Sequence, residues 1–165
     1  MQAYEARMSA VIKAPAAQVY AIIANSHQDH PQILPKQYFT NLTVEEGGIG
    51  AGTRIRFTMN AMGRTHLFQG MISEPEPGRV LVEANTSATM PPSTTTFTVE
   101  PLADGQQAQV TIRTQSQSRN GVGGVIERFL SKLFRRRVYA QELALLATYA
   151  EGQTKTARTL DPLDQ

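Results

Sequence analysis

The stretch VGGVIERFLSKLFRRRVYAQELALLATYA, running from Val122 to Ala150, decides the fold. Its apolar residues recur at the spacing of one long amphipathic helix. At 100° per residue, Val122, Ile126, Phe129 and Leu133 fall on one narrow face, which continues as Arg137, Ala140, Ala144 and Ala147. Bulky side chains fill space and alanines leave it open. This register predicts a helix that packs tightly at its first end and stands off at its second, with a hollow under Ala140 and Ala144. A secondary apolar strip of Val138, Leu145 and Tyr149 would meet short helices or another subunit, so monomer and homodimer both stay open.

Upstream, the chain reads as strands joined by tight turns. Tyr4 to Ile12 alternates, with Met8, Ala10 and Ile12 on one side. Ala14-Pro15-Ala16 opens a short helix, because proline is tolerated in a first turn. Val19, Tyr20, Ile22 and Ile23 give that helix its apolar side, and His27 to Pro35 is a loop or a second helical turn. Extended segments follow at Leu42–Glu46, Thr53–Met62, Thr65–Glu74, Arg79–Thr86, Thr94–Glu100 and Ala108–Ser118. The clearest is Thr53–Met62, where Ile55, Phe57, Met59 and Ala61 alternate with polar residues. The glycines of Gly47–Gly52, then Gly63-Arg64, Pro75–Gly78, Met90-Pro91-Pro92 and Ala103-Asp104-Gly105 punctuate them. Strands so closely joined must be antiparallel. Their apolar face needs a cover, and only the final helix is long enough to provide it.

At 165 residues, with 41% hydrophobic and 18% charged side chains, the chain has the composition of one globular domain. The formal net charge is only +2, so the pI of 9.1 does not by itself point to nucleic acid or acidic membranes. The absence of cysteine excludes disulfides, thiolate metal sites and a cysteine nucleophile. Met1 to Arg7 has no apolar run of a signal peptide, and no segment approaches the ~20 apolar residues of a membrane span. A cytoplasmic protein is expected, with a domain over residues 1–151 and a polar, flexible tail over 152–165.

Local signatures resemble the START-like (SRPBCC) superfamily, and within it the polyketide cyclase/dehydrase-like group. Ile12-Lys13-Ala14-Pro15-Ala16-Ala17-Gln18-Val19-Tyr20 matches the family's lead-in to its first helix, with Tyr20 where tryptophan is frequent. His30-Pro31-Gln32-Ile33-Leu34-Pro35, Gly50-Ala51-Gly52-Thr53 and Ile72-Ser73-Glu74-Pro75-Glu76-Pro77-Gly78-Arg79 follow in family order, and the closing helix completes the pattern. The resemblance spans about residues 4 to 150. It implies an α+β helix-grip fold: a curved antiparallel sheet of about seven strands wrapped around a long C-terminal helix, with two short helices after the first strand. It also implies an internal hydrophobic cavity for a lipid, polyketide or aromatic type of molecule. A minority of the family catalyse cyclisation or dehydration, and the group has no invariant catalytic constellation to carry over.

Phe57, Met59, Phe68, Phe129 and Leu133 are candidates to line such a pocket or to fill a solid core, and Met59, Met62 and Met71 would adapt to varied ligand shapes. His66 shares a register with Phe68, Gly70 and Ile72, which turns it inward as a proton donor or acceptor, or as a hydrogen-bonded core histidine. The opposite register, with Leu67 and Met71 inward, would expose it. Arg137 on the covered face would bind an acidic or enolate group, or send its charge to water or a sheet carboxylate. His27, Asp29 and His30 fit no standard metal spacing, so loop hydrogen bonding is expected there and no metal or cofactor is assigned. Arg128, Lys132, Arg135 and Arg136 form a basic flank, suited to solvent or to weak contact with anionic membranes. The lack of interleaved aromatics speaks against nucleic acid.

The expected function is therefore binding of a small, mostly apolar molecule, with Phe57, Met59, His66, Phe68, Phe129, Leu133, Arg137, Ala140 and Ala144 as the binding set and the Gly47–Gly52 and Met90–Pro92 loops at the mouth. Two alternatives stand beside it. One is a cyclase or dehydratase using His66 and Arg137; the other is a lipid carrier that engages anionic membranes.

Overall fold

The alternation in the middle of the chain forms a strand with one dry side. Ile55, Phe57 and Ala61 are buried while Arg54 and Arg56 are exposed. The computed structural model describes residues 2–61, 63–88, 90–118 and 122–160, and their side chains except at 122–129, 158 and 160. Its elements run β1 (Gln2–Ile12), α1 (Ala16–Ala24), α2 (His30–Ile33), β2 (Phe39–Glu46), β3 (Arg54–Ala61), β4 (Arg64–Glu76), β5 (Val80–Asn85), β6 (Ser93–Pro101), β7 (Ala108–Ser118) and α3 (Val122–Leu160).

All seven strands form one antiparallel sheet in the order β1-β7-β6-β5-β4-β3-β2. The crossover from β1 to β2 carries α1 and α2, and β7 closes the order by pairing with β1 along its length, from Gln2↔Ser118 to Ile12↔Ala108. The helix-grip architecture follows, with α3 laid against β1 and β7 and α2 against α3. Among the described residues no helix is long and apolar enough to cross a membrane.

The glycine turn before β3 fastens the sheet to α1. Ser26 N donates to Gly48 O at 2.8 Å, and Gly50 N donates to Ala24 O at 3.0 Å. Gly48 has φ 133, and a Cβ there would lie 2.0 Å from Nε2 of His27, so only glycine fits. This turn thus packs on the helices and does not line the cavity described below.

The solid core gathers Ile12, Val19, Ile23, Ile33, Leu81, Val99, Val110 and Ile112 under Leu143, Leu146 and Ala150 of α3. The covered face of α3 differs from the one expected. Val138, Tyr139, Glu142, Leu143 and Leu146 are buried, whereas Leu133 is 59% exposed and Arg137, Ala140 and Ala144 also face outward. The helix is turned by about one residue, roughly 100°, from the alanine register. Burying Val138, Tyr139, Leu143 and Leu146 removes far more apolar surface from water than burying alanines. Of the expected stripe only Ala147 remains partly buried, and the side chains of Val122, Ile126 and Phe129 lie outside the described residues. The helix expected to end near Ala150 runs on to Leu160, with Thr154 Oγ1 donating to Gln18 Oε1 at 2.9 Å.

Candidate functional site

A cavity of about 210 Å³ opens between the sheet and the middle of α3. Period-two alternation aims its sheet wall: Phe57, Met59 and Ala61 from β3, His66 and Phe68 from β4, Glu83 from β5, Thr95 and Phe97 from β6, and Ser116 from β7. Helix periodicity aims its roof, made of Ser131, Phe134, Arg135, Val138, Tyr139 and Glu142. Met90 and Pro91 complete it from the β5–β6 loop. The hollow therefore sits under Phe134 and Val138, and the next turns of α3 place Leu143, Leu146 and Ala150 in the core.

Aromatic rings shape the apolar end. Phe57 and Phe68 stack with centroids 4.4 Å apart, and Phe39 meets Phe57 edge-on at 5.5 Å. Tyr38 meets Phe134 edge-on at 5.2 Å, tying the β2 edge to the roof. On the other side, Tyr139 Oη shares a hydrogen bond with Thr114 Oγ1, which is 2.8 Å from Thr95 Oγ1. That relay holds α3 over β7 and β6.

Glu83 and Glu142 carry the site's unusual electrostatics. Burial pushes the Glu83 carboxyl up to about 7. Burial first, and the nearby Glu83 charge second, push Glu142 up to about 8. Repulsion acts on the pair, falling on whichever carboxyl ionises second. His30, packed edge-on against Phe97, is held neutral by burial, its pKa lowered from 6.5. His30 Nδ1–H donates to the Ile23 carbonyl at 2.7 Å, so Nε2 is left as an acceptor.

Of the residues singled out from sequence, the structure brings Phe57, Met59, His66 and Phe68 together on the cavity wall. Leu67 and Met71 are exposed, as the inward register of His66 requires, and Met62 lies outside the described residues. Leu133, Arg137, Ala140 and Ala144 are not part of the cavity, because the helix is rotated away from their register. The Phe129 and Arg128 side chains lie outside the described residues. Arg135 of the expected basic flank instead lines the cavity, with its guanidinium 5.9 Å from the Tyr4 ring centroid. His27, Asp29 and His30 go to separate partners: Gly47 O, then Asn25 and Tyr149, then Ile23 O.

The sequence reading missed Glu83 and Glu142. Both had a signal. Glu83 is two residues from buried Leu81 on one strand, and Glu142 lies four residues from both Val138 and Leu146 on one helix.

The family model for polyketide cyclase / dehydrase and lipid transport matches residues 4–151. The fold is similar to that of KanY, with TM-score 0.78 at 24% identity over 92% of this chain and 99% of that one. It is also similar to the Zhui aromatase/cyclase from a Streptomyces species, with TM-score 0.78 at 15% identity over 94% and 98% of the two chains. A START superfamily protein from Mycobacterium smegmatis gives TM-score 0.71 at 12% identity over 90% and 98%. No curated protein sequence matches the chain at a significant level.

Proposed function

The chain belongs to the polyketide cyclase / dehydrase and lipid transport family, and from that membership we propose that it holds one small, mostly apolar molecule in the cavity beneath α3. The observation that carries this is the hollow itself, walled by the Phe57–Phe68 stack and roofed by Phe134 and Val138. At about 210 Å³ it is smaller than the ~300–1,000 Å³ of drug-sized pockets, which suits a ligand of one or two rings. Affinity comes from apolar burial, at about 25 cal/mol per Å². Native mass spectrometry of protein purified from its own cell extract tests this. A retained small molecule is expected in the unmodified protein and absent from Val138→Trp, whose indole would occupy the space. Equal retention by both would place the molecule elsewhere.

A second reading, carriage to a membrane surface, is favoured by one observation. Leu130 and Leu133 are 46% and 59% exposed beside Lys132 and Arg136 on the helix that roofs the cavity. Co-sedimentation with anionic vesicles that falls with salt, and falls further in Leu133→Ser, would support it. Binding indifferent to lipid charge and salt would remove the electrostatic version.

A further inference from the structure

Two carboxyl groups face the cavity, Glu83 from the sheet and Glu142 from the helix, and they are 7% and 4% exposed. Among the described residues, Oε1 of Glu142 in the roof has no hydrogen-bond partner, and neither does Oγ of Ser116 on the sheet wall. Among the described residues neither glutamate has an ion-pair partner. Arg135 is the one cationic side chain among the described residues of the wall, and it lies over the Tyr4 ring. The other titratable groups facing the pair are His30, which is neutral, half-buried His66, and the phenols of Tyr4 and Tyr139. Once the two acids are ionised, the interior presents a surplus of acceptors: two carboxylates and Nε2 of His30. Leaving such groups unpaired out of water costs free energy that a matched donor recovers.

We propose that the molecule held here is an apolar amine, its protonated nitrogen set between Glu83 and Glu142 and its hydrocarbon part against the Phe57–Phe68 stack. This rests on the small-molecule reading above and names the chemical class that the cavity selects. A neutral alcohol satisfies one acceptor at most with its single proton. An ammonium group supplies several donors and the missing positive charge together. With the carboxyls at about 7 and about 8, Glu142 is mostly protonated and Glu83 about half protonated in the empty cavity at neutral pH. The arriving cation favours the ionised acids, so binding expels protons, and apparent affinity rises with pH through this range while the amine itself stays charged.

Isothermal titration at neutral pH with three probes of one ring system tests the proposal: naphthylmethylamine, naphthylmethanol and acetylnaphthalene. The amine is expected to bind about 10- to 100-fold tighter than the alcohol, as charged hydrogen bonds imply. Its heat should differ between phosphate and Tris buffers, reporting proton release. Glu83→Gln and Glu142→Gln should each remove most of the amine's preference over the alcohol. Alcohol or ketone binding as tight as the amine overturns the amine assignment and leaves the cavity reading intact, as does a preference that survives in the double variant. If none of the three binds, the cavity reading fails with it. Should a glutamine variant fail to fold, the buffer dependence in the unmodified protein decides, and amine binding without proton release overturns the proposal.

Discussion

A Cβ placed on Gly70 of β4 would come within 3.3 Å of Cγ of Glu83 on β5, and within 2.8 Å of Cε1 of Phe68. The glycine thus makes the room that an inward-facing acid and a stacked ring both occupy. Phe68 cannot easily give way, because Phe57 lies against it. Gly70→Ala should therefore destabilise the fold by about 1–3 kcal/mol, the usual cost of overpacking, and weaken retention of an apolar probe. Urea unfolding together with probe binding measures both. A variant as stable as its parent would mean that the ring and the acid are more loosely held than the contacts indicate.

The buried acids set a pH dependence whose sign can be worked out. Both carboxyls lie above their ordinary 4.5, at about 7 and about 8. Between those limits the folded protein holds more protons than the unfolded chain, so their contribution to stability falls as pH rises from about 4.5 to 8. Moving a carboxyl's ionisation by one pH unit between the unfolded and folded chain is worth about 1.4 kcal/mol, which makes the loss for the two acids on the order of 8 kcal/mol at most. Glu142→Gln should melt close to the parent at acid pH, where the parent carboxyl is already neutral, and above it at about pH 8. His30, whose lowered pKa acts in the opposite sense below 6.5, is common to both proteins and cancels in the difference. Thermal melts across that range check this, and parallel pH curves would contradict it.

The sheet was legible from sequence because alternation and turn chemistry act locally. Ile55, Phe57 and Ala61 are buried as their spacing demands, and the glycines of the Gly47–Gly52 turn adopt positive φ. The helix was legible as an element but not in its rotation. Bulky residues before Leu133 suggested one face, whereas Phe134, Val138, Tyr139, Leu143 and Leu146 form a heavier one about one residue on. That choice depends on which face the sheet receives, a contact between residues distant in sequence. The same rotation hid Glu142, because a glutamate on a helix reads as solvated until its neighbours at four-residue spacing are known to be buried. The four cavity residues legible in advance, Phe57, Met59, His66 and Phe68, all lie on strands.

Neighbouring residues on α3 give a direct test of that rotation. Arg137 is exposed and Val138 is 3% exposed. Val138→Ala should cost about 1–3 kcal/mol, combining lost burial with an enlarged cavity. Arg137→Ala should stay within about 0.5 kcal/mol and leave probe binding unchanged. Denaturant midpoints for the two variants are enough. The reverse ranking would restore the alanine-lined face and move the hollow toward Ala144.

Tyr139 reaches Thr114 on β7, and Thr114 Oγ1 lies 2.8 Å from Thr95 Oγ1 on β6, so one phenol ties the roof to two strands. Tyr139→Phe keeps the ring and removes the hydroxyl's bonds to Thr114 and Arg135, for a net loss of about 1–2 kcal/mol. A plain deletion cannot separate the bond from the cost of leaving Thr114 partly satisfied, but a double-mutant cycle with Thr114→Val can. In the valine background the tyrosine change should cost less than in the parent, since Thr114 is already gone and only the Arg135 contact is left to lose. Chemical unfolding of the four proteins yields the coupling. Strict additivity would mean that α3 is held over the cavity by apolar contacts alone, with the hydroxyl relay contributing nothing to its position.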